Sequence, residues 1–166
     1  MSPLTAGPIR SHQHWTRPTA DLVAAFQGAP SGNVSDALAS PTSAMNHQIR
    51  PLSPSRSIAG PALTVWTRGG DNLAVWLALE MAQAGDVIII ATDDHTGAGA
   101  FGELFVIGAQ SRGVVGIITD GMCRDAAGIR QTDVAAFVAG LHPLGSEKRG
   151  PGEIGGVIHC GGVEVT

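Results

Sequence analysis

Apolar positions recur at helical spacing in two consecutive segments that follow an irregular N-terminus. "TADLVAAFQG" offers Thr19 as an N-cap and Gly28 as a stop, and "SGNVSDALAS" repeats the arrangement with Ser31 or Asn33 as cap and Pro41 as breaker. The period then changes. "GPALTVWT", residues 60 to 67, is rich in β-branched residues and bounded by turn formers, which predicts a strand. "GGDNLAVWLALEMAQAGD" predicts a helix capped by Asp71 and stopped by Gly85. It is too apolar to keep an exposed face over most of its length, so Trp76 and Met81 belong to the core.

"DVIIIAT", residues 86 to 92, has the continuous apolar character of a strand covered on both faces. A polar, glycine-rich loop follows and ends where a helix, "GELFVIGAQSRG", begins. Gly113 stops that helix before the next buried strand, "VVGIIT". Strand, loop, helix and strand are the ingredients of a right-handed parallel crossover. Beyond Arg130 the pattern gives a short strand "AAFVAG", a loop "LHPLGSEKRGPGEIGG", and a hairpin in "VIHCGGVEV" that turns at Gly161 and Gly162. There is no long repeat and no second domain boundary. The expected organisation is one α/β domain over residues 20–166, preceded by an arm over residues 1–19. The arm, rich in Pro, Ser and His, is expected to be disordered or laid over a neighbour, with His12 and His14 solvated rather than ligating a metal.

Composition sharpens this picture. The chain has 166 residues, enough for one buried core, yet only 14% are charged against 43% hydrophobic. A surface with so few charges is expected to be covered in part by other subunits. The net charge of −4 argues against nucleic acid or an acidic membrane as the partner, and Lys148 and Arg149 form a lone basic pair. No apolar run reaches the roughly 18 residues needed to cross a bilayer. Cys123 and Cys160 lack zinc or disulfide spacing, so they are expected to be reduced, which suits a cytoplasmic protein.

The chemistry concentrates in two loops expected on the same edge of the sheet, one carrying Gly102 and Glu103, the other Arg124 and Asp125. A guanidinium grips a carboxylate with two parallel hydrogen bonds, and Asp125 offers hard oxygen to a divalent cation. An ion held by one or two carboxylates keeps several waters, which suits Mg²⁺ or Mn²⁺ better than zinc. Amides of Leu104 and Phe105, at the start of the helix, would face an anion. A small 2-oxo acid fits that set, with its carboxylate on the amides and Arg124 and its keto oxygen on the metal.

Four stretches, "GPALTV", "GDNLAVWLALEMAQAGDV", "GELFVIGAQSRGVVGIITDGMCRDAAGI" and "KRGPGEIGG", resemble the class II pyruvate aldolases. That family includes 4-hydroxy-4-methyl-2-oxoglutarate aldolase and the RraA-like proteins. The likeness runs from about residue 20 to the end, and its most specific element is an acidic residue followed, after twenty others, by Arg-Asp: Glu103, Arg124 and Asp125. The resemblance implies an α/β/β/α sandwich like that of swivelling phosphohistidine domains, assembled as homotrimers or homohexamers with sites between subunits. It implies that Arg124 binds substrate, that Asp125 holds the metal directly, and that Glu103 reaches it through water. The Gly102, Glu103, Leu104, Phe105 turn would hold the pyruvate carboxylate. Family members usually continue with a "PGD"-type turn, a further strand and often a helix, so residues 20–166 read as a domain short at its C-terminus.

The activity so implied is metal-dependent retro-aldol cleavage of 4-hydroxy-2-oxo dicarboxylates to pyruvate, together with oxaloacetate decarboxylation. Rival readings differ in kind. A Schiff-base route would need Lys148, the only lysine, which reads more simply as a solvated loop charge or a subunit contact. Cys123 reads as packing, and His95 is a candidate for the mouth of the site. The RraA-like relatives also imply an alternative without catalysis, a regulator that binds a ribonuclease. No glycine-rich nucleotide signature supports a methyltransferase.

Overall fold

The computed structural model describes residues 7–12, 15–38, 40, 44–52 and 57–166. In chain order the elements are β1 (Ile9–Ser11), α1 (Ala20–Phe26), α2 (Ser31–Leu38), β2 (Arg50–Pro51), β3 (Ala62–Thr67), α3 (Leu73–Met81), β4 (Val87–Ala91), β5 (Gly99–Phe101) and α4 (Glu103–Ser111). They continue with β6 (Gly116–Thr119), β7 (Met122–Cys123), α5 (Ala126–Ile129), β8 (Ala135–Val138), β9 (Gly140–Leu141), β10 (Gly152–Ile154), β11 (Ile158–Cys160) and β12 (Val163–Val165). A seven-stranded mixed sheet runs β1-β10-β3-β4-β6-β8-β2, beside a three-stranded sheet β5-β7-β9 and the hairpin β11-β12. The α/β class expected from the alternating patterns is the one found.

The parallel heart of the large sheet, β3, β4, β6 and β8, is built from the runs whose apolar character is continuous. Every residue of β4 is buried, because side chains from both of its faces are covered. Ile88 and Ile90 enter a core with Leu63, Val75, Phe105, Val106 and Ile117, whereas Val87, Ile89 and Ala91 pack with Ile158 and Cys160 of the hairpin. The apolar α3 follows the same logic: Ala74, Val75, Ala78 and Leu79 are buried, and Trp76 and Met81 pack against that core. Thr19 caps α1 as its sequence predicts, its side chain accepting from the Leu22 amide at 3.3 Å.

Several expectations are corrected. The segment before residue 20 is not a loose arm where it is described: β1 pairs in parallel with β10. Arg17 forks onto the buried Asp86 carboxylate at 2.5 and 2.9 Å, a bidentate pair that fixes the segment to the domain. His12 is tied to Glu153 at 2.6 Å, while His14 and Pro41 lie outside the described residues. Helix α2 begins at Ser31, so Ser31 and Asn33 sit in its first turn instead of capping it. The loop assigned to residues 141 to 156 contains β10, antiparallel to β3, and the glycine-rich loop after β4 contains β5. Strands of two or three residues leave no periodicity to read; their partners are distant in sequence.

Asp120, at the end of β6, holds the end of β4. It is buried, and its carboxylate accepts from the Thr92 amide at 2.7 Å and the Thr92 hydroxyl at 2.9 Å. Burial raises its pKa above the usual 3.8, against the opposing effect of the Thr92 hydrogen bonds. A carboxyl with a raised folded pKa contributes stability that is present below the unfolded value and is lost as pH rises through the folded one. The stability of wild type relative to Asp120→Asn is therefore expected to decline as pH rises through that acidic window, as measured by urea unfolding of both proteins at a series of pH values.

Candidate functional site

The small sheet assembles the site. β5 and β7 pair in parallel, so the chain leaves both at the same end, and the Arg124 amide donates to the Phe101 carbonyl at 3.1 Å. Gly102 then starts α4, and Arg124 and Asp125 lead into α5. The convergence expected from the sequence is present, carried by these short strands rather than by the long ones of the main sheet.

Gly102 is where the two loops touch. A Cβ there would stand 2.5 Å from Asp125 Oδ2 and 3.0 Å from Arg124 Cγ, so only glycine leaves room for both side chains. Arg124 Nε lies 3.4 Å from Asp125 Oδ2, and the two side chains are 45% and 46% exposed, open enough to meet a ligand. Asp125 sits at φ 59°, in the left-handed region that Asp and Asn tolerate best among residues with a Cβ. The Glu103 carboxylate rests against Gly128 of α5, in space that a Cβ would fill. Gly128→Ala is expected to melt no lower than wild type, because alanine favours a helix by up to about 1 kcal/mol. Its turnover is expected to drop by about 10²-fold as Glu103 is displaced.

A cavity of about 170 Å³ adjoins Arg124, and Asn72, Trp76, Gly102, Ser146 and Lys148 help to line it. The 145–149 segment reaches it through pairing at the start of α3. The Asn72 amide donates to the Glu147 carbonyl at 2.8 Å, and the Arg149 amide to Asp71 Oδ2 at 2.6 Å. Asp71 was expected to be the cap of α3. Its Oδ1 does accept from the Leu73 amide at 2.9 Å, but Asn72 holds the N-cap position, and Asp71 instead locks two segments together. Gly145 lets the chain lie against the guanidinium, since a Cβ there would be 2.6 Å from Arg124 Nη1.

The turn residues divide. The Phe105 amide donates to the Gly102 carbonyl at 3.1 Å and its ring is buried edge-on against Trp76, so of the two amides expected to meet an anion, Leu104 offers the open one. His95 packs over Gly69, Gly70 and Gly97 and does not line the Arg124 cavity. Cys123 is fully buried, and burial pushes its thiol up to about 12, which suits packing rather than nucleophilic chemistry. Lys148 does reach the cavity wall.

Among the described residues no group of three or more His, Cys, Asp or Glu could hold a metal ion. What Gly102 leaves clear is one exposed carboxylate, Asp125, beside a guanidinium. That donor set fits a hydrated Mg²⁺ or Mn²⁺ and does not fit zinc. A roomier cavity, about 940 Å³, lies elsewhere, against α1 and α2, and its lining has no ionisable side chain. Sequence reasoning missed Asn72, Gly128, Gly145 and Ser146, whose roles arise only from contacts between distant segments.

The RraA-like family model, described as Aldolase/RraA, matches residues 31–166, and the chain belongs to that family. A Halalkalibacterium halodurans protein provisionally named 4-hydroxy-4-methyl-2-oxoglutarate aldolase is 39% identical over 147 residues, covering 87% of this chain and 69% of its own. Matches to proteins of the same provisional name from Hahella chejuensis and Burkholderia multivorans span 57% and 63% of those proteins. The solved RNA-processing inhibitor RraA of Thermus thermophilis superposes with a TM-score of 0.75 at 24% identity, covering 82% of each chain, a likeness of fold. The described residues contain no helix long and apolar enough to cross a membrane.

Proposed function

We propose that this protein is a divalent-metal-dependent lyase that cleaves 4-hydroxy-2-oxo dicarboxylates, of the 4-hydroxy-4-methyl-2-oxoglutarate type, to pyruvate, and that it also decarboxylates oxaloacetate. The observation that carries this reading is the meeting of Arg124 and Asp125 at Gly102. The provisional names of the sequence relatives support it. Both reactions develop negative charge on the keto oxygen of a pyruvate unit. Arg124 grips the oxo acid and stabilises that charge, and the Leu104 amide holds the carboxylate. Glu103 takes the proton from the substrate hydroxyl or delivers one to the enolate carbon. Mg²⁺ or Mn²⁺, held by Asp125, would supply a Lewis acid for the same developing charge.

Leu104 and Ile107, three apart on α4, and Leu77 on α3 are exposed apolar side chains on the two helices that start at the site. That favours a trimer or hexamer with sites between subunits. Two buried, free cysteines suit a reducing cytoplasm. The test is pyruvate release from 4-hydroxy-4-methyl-2-oxoglutarate and from oxaloacetate, with Mg²⁺ and with a chelator. Release from both that the chelator abolishes supports the proposal. No metal-dependent release from either favours a ribonuclease-binding regulator, and a borohydride-trapped pyruvate adduct on Lys148 favours a Schiff base.

A further inference from the structure

Asn72 lines the Arg124 cavity, is only 7% exposed, and stands at the N-cap position of α3 without capping it. Its Nδ2 donates to the Ala100 carbonyl at 3.0 Å, which fixes which end of the amide is nitrogen. Oδ1 is buried with no partner. Among the described residues, the one other buried side-chain polar atom left unpaired is Trp15 Nε1, which is not in this cavity. An orphaned acceptor costs free energy until a donor arrives. The neighbouring groups show what kind of molecule can bring that donor. Arg124 and Lys148 both border the cavity, so it suits an acid, and the Ser146 hydroxyl is already committed to the Gly99 carbonyl at 2.9 Å.

Pyruvate and oxaloacetate in their keto forms have no hydroxyl to give. A 4-hydroxy-2-oxo acid has one, on the carbon whose bond to the pyruvate unit breaks. We propose that Asn72 Oδ1 accepts the hydrogen bond of that hydroxyl, making Asn72 the residue that selects hydroxylated oxo acids over their deoxy counterparts. This rests on the lyase reading above for the ligand class. An amide does not take the proton: the hydroxyl has a single hydrogen, which rests on Asn72 Oδ1 when the substrate binds and must turn to Glu103 for the transfer, so Asn72 acts on binding and selection. A polar group left unpaired when the hydroxyl is missing is the kind of site that rejects such an analogue.

The experiment compares 4-hydroxy-2-oxoglutarate with 2-oxoglutarate, the same skeleton without the hydroxyl, by calorimetry on the full chain with a chelator present. Turnover of 4-hydroxy-4-methyl-2-oxoglutarate and of oxaloacetate is measured separately with Mg²⁺. Wild type is expected to bind the hydroxy acid at least about tenfold more tightly. Asn72→Leu should remove that preference and lower kcat/KM for the aldol substrate about tenfold more than for oxaloacetate. Equal binding of the two acids by wild type overturns the proposal whether or not the variant folds. A preference retained in Asn72→Leu, or equal losses on the two substrates, overturns it as well and leaves the lyase reading standing. An Asn72-dependent preference without turnover of either substrate supports the Asn72 assignment and defeats the lyase reading instead.

Discussion

Asp125→Asn is expected to lower metal-dependent pyruvate release by about 10²–10³-fold while leaving the fold intact. Asparagine is the informative replacement because residue 125 sits at φ 59°, where alanine would add strain of its own. Asn tolerates that conformation at least as well as Asp, so the variant removes charge and little else. Melting temperatures within a few degrees of wild type, with weakened Mn²⁺ binding by paramagnetic resonance, are the companion results. Full turnover in Asp125→Asn at saturating substrate would take the metal away from Asp125.

Arg124→Lys is expected to cost about 10²-fold in kcat/KM despite conserving the charge. The guanidinium passes between Gly102 and Gly145, each of which lacks a Cβ where Arg124 lies. A lysine ammonium is a single point of charge on a more flexible stem and cannot form two parallel hydrogen bonds with a carboxylate. The loss should appear in both kcat and KM, because the same fork binds the acid and meets the developing charge. A Lys variant within about threefold of wild type would reduce Arg124 to a general positive charge.

The parts of this molecule that could be read from its sequence are those in which local pattern and tertiary burial agree. Val87–Ala91 is apolar throughout because both sheet faces are covered, and Gly116–Thr119 carries Ile117 and Ile118 in the neighbouring strand. The helix from Glu103 to Ser111 is bracketed by Gly102, which starts it, and by Gly113, at φ 76°, which follows its end. Gly102, Glu103, Arg124 and Asp125 followed from that frame once the two loops were given a common edge. What could not be read depends on pairs far apart in sequence. Met122–Cys123 and Gly140–Leu141 are too short to show a period, yet with Gly99–Phe101 they form the sheet that brings the loops together. Asp71 has the look of a helix cap in sequence, and its second bond, to the Arg149 amide, spans 78 positions. Asn72 beside it has a role only because residues 145 to 149 return to close the cavity.

The most direct test is anomalous diffraction from crystals grown with Mn²⁺ and oxalate, a mimic of the pyruvate enolate. The expected result is manganese on the Asp125 carboxylate, with oxalate reaching both the Arg124 guanidinium and the Leu104 amide. Manganese bound away from Asp125, or oxalate touching neither of those donors in any subunit, would contradict the account.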